Sequence, residues 1–463
     1  MASEDISRRN MLKSTAAIAA AGGLALASQA SAQAPSQRTG TQAGRRFKGW
    51  VSQGEGSNRT TLQDLTLRGI EGRQVVVRTE SVNLCYSNTG AVLGLQRNFG
   101  APPDGAERPR LPPSPLQDMA LIQGHGGVGI VEAVGPDVRR VEVGDRVVVS
   151  GTPQCGSCYQ CLRGRSDMCQ FLGRQGADDL VAMADTSTGT PVYANSHIGG
   201  LAEIMVSFEE WLVPIVSDAP KDEIGILGCV GVAGLGATTA HPNARIAPSD
   251  TVAVLGCGPI GLSAVQGARI AGASKIIAIE PIGERRELAL KVGATDVLDP
   301  NEEGDQLVER VREMTNGPHN RLWAGGRDSG GLLGGAGADF VVEAVGADQA
   351  PPRAKAGPDP SGILPLEQGY MMTAPGGNYV TTSLPRGSVS IPGVVFTIGG
   401  RSHHAGQAGG CSPMRDIPRF VEMLNSGQFD AKSLATRVVT IEDMMDAYEE
   451  VLYRTTVTAI LVA

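Results

Sequence analysis

A strand-like run, Thr251-Val252-Ala253-Val254-Leu255, leads straight into Gly256-Cys257-Gly258-Pro259-Ile260-Gly261 and then a small-residue helical stretch, Leu262 to Ala271. No other feature restricts the fold so closely. Strand, glycine turn and helix in this order let the backbone approach a pyrophosphate, which rests on the helix N-terminus. A second strand-like run, Lys275 to Ile279, ends in Glu280, nineteen positions after Gly261. That spacing suits a carboxylate that accepts hydrogen bonds from the adenosine ribose hydroxyls. Its charge repels a 2′-phosphate, so NAD is expected over NADP, a preference softened by the nearby Arg285 and Arg286. The expected cofactor-binding set is Gly256, Gly258, Pro259, Ile260, Gly261, Glu280 and Arg285. Cys257, inside the loop, is expected to pack rather than react.

The alternation continues through a helix at Arg285 to Val292 and strands at Asp296 to Leu298 and Phe340 to Ala344. Alternating strand and helix predicts a parallel sheet of the α/β class. Ahead of Gly231 the pattern differs. Gln74 to Arg78 and Val128 to Val149 read as short strands separated by turn signals, and they predict an antiparallel, partly barrel-like β domain. A helix near Ile441 to Tyr453 and a strand at Ala459 to Val462 close the chain. Gly100 to Pro115, Asn316 to Ala338 and Asp348 to Gly362 read as Gly/Pro-rich loops or insertions. Gln33 to Arg46 reads as a flexible polar lead. The formal net charge of -8 and an aromatic content of 4% argue against nucleic-acid binding.

The N-terminus carries Ser7-Arg8-Arg9-Asn10-Met11-Leu12-Lys13, a small-residue apolar stretch to Ala27, and Ala30-Ser31-Ala32. These are the parts of a twin-arginine export signal with its cleavage site, spanning residues 1–32. The expected partner is the export machinery, and the expected location is the periplasm or the exterior. The route carries folded proteins, so a metal can be loaded before export.

Four cysteines fall in fifteen positions: Cys155, Cys158, Cys161 and Cys169. Four thiolates in one loop can close a tetrahedral shell around zinc with no open position, which is a structural site. Two disulfides are the alternative. Cys85, His125 and Cys229 lie elsewhere and together supply two thiolates and an imidazole, a set that leaves zinc a fourth position for substrate. Two zinc ions per chain are therefore expected.

These features occur in a familiar order. Cys85 with Ser87 two residues on, Gly124-His125 running into Val131-Glu132-Ala133-Val134-Gly135, the four-cysteine lobe, Cys229 and the glycine fingerprint resemble the zinc-containing medium-chain alcohol dehydrogenases. The resemblance implies an α/β fold: a GroES-like catalytic domain over 33–230, a doubly wound Rossmann domain over 231–398, and a return to the catalytic domain over 399–463. It implies hydride transfer between an alcohol, or an aldehyde or ketone, and a nicotinamide cofactor. Ser87 would relay the proton, the active site would lie between the domains, and the chain would form a homo-oligomer.

Several residues depart from the family pattern. Asn88 and Gly126 stand where relatives usually carry Asp and Glu, which predicts a more electrophilic metal. Gly90 stands where many carry a relay histidine, and Tyr86 where many carry a basic residue. Gly151 replaces a bulky wall, and with the long Cys85-to-His125 interval it suggests a roomier pocket. His197 aligns loosely with the substrate pocket. His403-His404 is a candidate replacement relay, against the alternative of a solvated loop pair. Free NAD is scarce outside the cytoplasm, so an exported enzyme is expected to hold its cofactor tightly. A carbonyl dismutase or transhydrogenase that uses bound NAD as an internal hydride shuttle, or a non-catalytic zinc- and nucleotide-binding protein, are the competing readings.

Overall fold

The computed structural model describes residues 42–463 except 55, 57, 96–115, 117, 175–178, 317–335 and 350–360. The export signal, nearly all of the polar lead, most of the Pro-rich loop and most of both insertions lie outside the described residues. Arg46, expected to end the lead, opens the first strand, Arg46–Ser52.

Among the described residues, the nucleotide half is built on six parallel strands. Their order is Asp296–Leu298, Lys275–Ile279, Thr251–Leu255, Ala338–Glu343, Thr373–Thr381 and Ser402–Ala405. Numbered by sequence this is 3-2-1-4-5-6, the doubly wound arrangement whose ligand crevice lies at the carboxyl ends of the strands where the order reverses. Every residue of Thr251–Leu255 is buried, as a parallel strand covered on both faces requires. The sixth strand lies beyond residue 398, so the parallel sheet passes the boundary drawn from sequence. That strand reads Ser-His-His-Ala and is mostly exposed. An edge strand of this composition lacks the apolar run that marks its neighbours.

The helix Pro413–Asn425 follows and packs on the same half. Its buried positions Ile417, Phe420, Val421 and Leu424 recur at helical spacing and join the core of the glycine-loop strand. Residues after 398 therefore contribute first to the nucleotide half.

The β half has two parts. One is a closed barrel ordered Arg46–Ser52, Thr60–Leu67, Ala182–Thr186, Pro191–Ala194 and Ala120–Ile122. The other is a sheet centred on the ten-residue strand Gln74–Asn83, which pairs antiparallel with Gly127–Val134, Ile204–Phe208 and Ala459–Val462. Valines bury both of its faces, Val75 and Val77 in one core cluster and Val76 and Val82 in another, all fully buried. The late strand Ala459–Val462 thus lies directly beside the strand that leads into Cys85. Trp50 Nε1 also donates to the Ile441 carbonyl at 2.7 Å, fastening the barrel to the late segment.

Phe420 is almost fully buried in this core. Phe420→Ala is expected to cost about 3–5 kcal/mol, the range for a large aromatic deleted from a packed interior. Denaturant unfolding checks this.

Candidate active site

Three loops meet where the two halves face each other. Cys85 follows the strand Gln74–Asn83, His125 precedes Gly127–Val134, and Cys229 opens the helix Val230–Leu235. Their ligand atoms lie within 4.8 Å of one another. His125 Nε2 is 3.2 Å from Cys229 Sγ, and Ser87 Oγ donates to Cys85 Sγ at 3.3 Å. The hydrogen bond from Cys229 and the positive field of His125 hold the Cys85 thiol well below its ordinary pKa. The same partnership, with burial, pushes Cys229 up. Burial disfavours the His125 imidazolium, but the Cys85 thiolate outweighs it and the pKa rises. Two sulfurs and a nitrogen competing for protons at this separation are a donor set suited to a zinc ion, which binds such atoms at about 2.0–2.3 Å.

Backbone contact brings His125 and Cys229 together. A side chain at Gly126 would collide with the Gly228 carbonyl, and one at Gly228 would press on the Gly127 nitrogen at 2.6 Å. Position 126 therefore cannot carry the carboxylate that relatives place there without moving the Cys229 loop. Asn88 is buried, and its Oδ1 has no hydrogen-bond partner among the described residues.

The four-cysteine lobe is assembled as a closed shell. Cys155 Sγ lies 4.0 Å from Cys161 Sγ, and Cys158 Sγ lies 3.9 Å from Cys169 Sγ. A tetrahedral zinc with Zn–S near 2.3 Å sets neighbouring sulfurs about 3.8 Å apart, while a disulfide needs about 2.05 Å. The geometry fits zinc and not the disulfide alternative. Burial raises the Cys158 thiol, but the backbone N–H groups of Gln170 and Cys161 point at its sulfur and bring it down to about 6. Asp167, fully buried between the last two cysteines, is held by both arms of Arg165, at 2.9 and 2.7 Å.

The glycine loop divides its work among three residues. Gly256 has φ +85, and a side chain at Gly261 would strike the Gly256 carbonyl. A side chain at Gly258 would meet nothing nearer than Arg285 Nη1 at 3.9 Å, so this position faces open space. The helix Pro259–Ile270 begins there, with Pro259 and Ile260 in its first turn. Glu280 is buried and ties the loop down: Oε2 accepts from the Cys257 N–H at 2.7 Å and Oε1 from the Ile282 N–H at 3.1 Å. Cys257 itself is buried in the core, as expected. Arg286 is committed to Asp299, so Arg285 is the cation beside the loop. Burial lowers the Arg285 pKa, and Glu280 partly restores it.

A cavity of about 870 Å³ joins these parts. Cys85, Ser87, His125, Cys229, Gly258, Glu280 and Arg285 all line it. His197 does not. It lies in an aromatic cluster, 5.1 Å from the Trp211 ring and 5.3 Å from Phe208, with its Nε2 on the Arg174 carbonyl. His403 and His404 are also outside the cavity, on the sheet-edge strand, bonded to Thr381 and Asn378. They form neither a relay nor a loop pair. Gly151 does line the cavity, but a side chain there would press on the His125 carbonyl at 2.7 Å, so glycine is required by the metal-site loop as much as by pocket size. Among the cavity residues that sequence reasoning missed are Gln349 and Arg454. Gln349 sits in a segment of low complexity and Arg454 at a helix end, and neither carries a local motif.

The description "Alcohol dehydrogenase GroES-like domain" matches residues 71–217, and "Zinc-binding dehydrogenase" matches residues 259–426. The chain belongs to the zinc-containing alcohol dehydrogenases. A twin-arginine translocation signal matches residues 5–25. Among relatives of this dehydrogenase, S-(hydroxymethyl)glutathione dehydrogenase of Saccharomyces cerevisiae is 32% identical over 56% of the chain and 63% of the relative. NDMA-dependent alcohol dehydrogenase of Amycolatopsis methanolica is 28% identical over 84% of the chain and 91% of the relative. The solved alcohol dehydrogenase zinc-binding domain protein of Burkholderia ambifaria superposes with a TM-score of 0.73 at 25% identity, covering 90% of this chain and 99% of that one.

Two outcomes follow for the dehydrogenase. Cys158→Ser is expected to remove one zinc per chain, read by elemental analysis, and to destabilise by more than about 3 kcal/mol, beyond ordinary substitutions. His241 is buried beside His404, with Asp167 and Arg165 nearby, and burial lowers its pKa to about 4. The unfolded chain then binds the extra proton between about pH 6.5 and 4, so stability falls as the pH descends through that window. Urea unfolding at pH 7.5 and pH 5 measures the fall, and His241→Asn should remove part of it.

Proposed function

We propose that this protein is an exported, zinc-dependent alcohol oxidoreductase that works with a resident NAD. The observation that carries the reading is one cavity lined both by the Cys85, His125 and Cys229 donor set and by the Gly256–Gly261 loop. Zinc held by those three residues would supply a Lewis acid that acidifies an alcohol hydroxyl or polarises a carbonyl. NAD on the glycine loop would supply the hydride acceptor, and Glu280 beside it favours NAD over NADP.

The chain's own residues do the rest. Ser87 Oγ, on the cavity wall and bonded to Cys85 Sγ, takes the substrate's hydroxyl proton and passes it outward. Residue 90 takes no part, because a Cβ there would meet Gln349 Oε1 at 2.5 Å. Arg285 places positive charge at Gly258, where the pyrophosphate approaches. The four-cysteine lobe, closed before export, protects thiols that would otherwise oxidise. Oxidation of an alcohol releases two electrons as hydride and one proton, so turnover with a resident NAD would need a second carbonyl or an external acceptor to take up the hydride. The NDMA-dependent relative supports turnover with an external acceptor.

The protein is exported to the periplasm or beyond, a reading supported by the signal match. A homo-oligomer is supported by the sheet-edge strand Ser402–Ala405 and the adjacent helix Gly393–Ile398, whose Val394, Phe396 and Ile398 are exposed.

Native mass spectrometry of the protein purified from the periplasmic fraction tests these points together. The expected species begins at Gln33, is oligomeric, and carries two zinc ions and one NAD per chain. Absence of nicotinamide from the denatured sample would sink the resident cofactor. Retention of both zinc ions in Cys85→Ala would sink the assignment of the cavity metal.

A further inference from the structure

The two halves are joined across the cavity by a set of contacts that neither the metal nor the glycine loop requires. We infer that Tyr86, Gln349, Asp348 and Arg454 form a latch that holds the cleft closed over the dinucleotide and sets the rate of its exchange. This rests on the reading that a dinucleotide occupies the cavity.

Gln349 makes two bonds to one residue of the β half. Its backbone N–H donates to Tyr86 Oη at 2.8 Å, and its Nε2 donates to the Tyr86 carbonyl at 2.9 Å. The preceding residue, Asp348, is ion-paired with Arg454 of the late segment, and both side chains are largely buried. The Arg454 guanidinium also lies 5.6 Å from the centre of the Tyr86 ring, close enough for a cation–π contact. Arg454 adopts φ +59, a conformation that a non-glycine residue keeps only when its surroundings hold it. Two residues on, the Thr456 carbonyl accepts from Arg285 Nη2 at 2.9 Å, a further bridge beginning beside the glycine loop.

The loop that carries the latch is anchored in the nucleotide half. Glu343, fully buried at the end of the strand Ala338–Glu343, accepts from the N–H groups of Val345 at 2.7 Å and Gly346 at 3.3 Å. Its other oxygen accepts from Ser383 Oγ at 2.5 Å. The loop is therefore fixed at its base and reaches over to Tyr86 at its tip. Tyr86, Gln349, Arg454 and Arg285 all line the cavity, so a dinucleotide lying on Gly258 would leave past them.

Gly90 completes the arrangement. It lies in the short helix Thr89–Val92 beneath the Gln349 side chain, which occupies the space any side chain at residue 90 would need. The residue that stands where relatives carry a relay is thus the seat of the latch.

Exchange of bound NAD for isotopically labelled NAD, followed by mass spectrometry of the intact full-length protein, provides the test. Gln349→Ala removes the Nε2 bond to the Tyr86 carbonyl and keeps the backbone bond to Tyr86 Oη, and Arg454→Met removes the ion pair and the ring contact. Gln349→Ala is expected to speed exchange by about threefold or more, the effect of losing one hydrogen bond, and Arg454→Met by about tenfold or more, the effect of losing one buried pair. Arg454→Lys should fall between wild type and Arg454→Met. Gly90→Ala gives an independent approach. It is favourable in a helix, leaves every latch residue unsubstituted, and should speed exchange by displacing the Gln349 side chain. It also carries the test if a latch variant fails to fold. Equal exchange rates in wild type, Gln349→Ala and Gly90→Ala would overturn the latch, however slow the wild type is. Exchange within seconds in the wild type would overturn the resident cofactor, and a tenfold ratio between variant and wild type would still uphold the latch. Failure of the wild type to bind NAD at all would overturn both.

Discussion

The contact between the Gly126 and Gly228 backbones is the constraint on which the site depends. His125 belongs to the loop before a strand of the β half, and Cys229 to the start of a helix that runs into the nucleotide half. Their side chains meet only because the residues beside them have no side chains and the peptide units touch. The same contact explains why the acidic residue of relatives is missing at position 126. Space, not charge, decides it. With Asn88 neutral as well, the donor set sits without those two carboxylates, and the negative charge near it comes from the thiolates themselves.

Much of this was legible in the sequence because the relevant physics is local. The glycine loop has three glycines within six residues, and the structure gives steric reasons for Gly256 and Gly261, while Gly258 faces open space. The four-cysteine shell is set by spacing inside one loop. Cys85, His125 and Cys229 are dispersed, but their residue types suffice to mark a metal set. Strands such as Lys275–Ile279 and Ala459–Val462 have the bounds their apolar runs suggest. The legibility ends where a residue acts through a partner far along the chain. Gln349 is unremarkable until Gly90 and Tyr86, more than 250 positions earlier, are placed beside it. His197 looked available because a histidine near a pocket segment has no local sign of its burial against Phe208 and Trp211. The exposed edge strand at 402–405 was unreadable because nothing apolar marks it.

Charge around the glycine loop is arranged with similar economy. Glu280 uses both oxygens on backbone N–H groups, which fixes the loop before any ligand arrives. Arg285 is buried, yet Glu280 offsets part of the cost of keeping its charge there. The site is thus preorganised by a carboxylate on the protein side and a guanidinium on the ligand side. Little rearrangement is left for binding to drive.

The position of the last strand bears on how the molecule is made. Ala459–Val462 is an interior member of its sheet, between Gln74–Asn83 and Arg437–Val439. The ladder beside Cys85 therefore stays open on one side until these residues have left the ribosome. A nascent chain can complete its glycine-loop half while the metal-binding half waits. Closure of the sheet beside Cys85 can only follow synthesis of these residues, which makes it a late step on this topology.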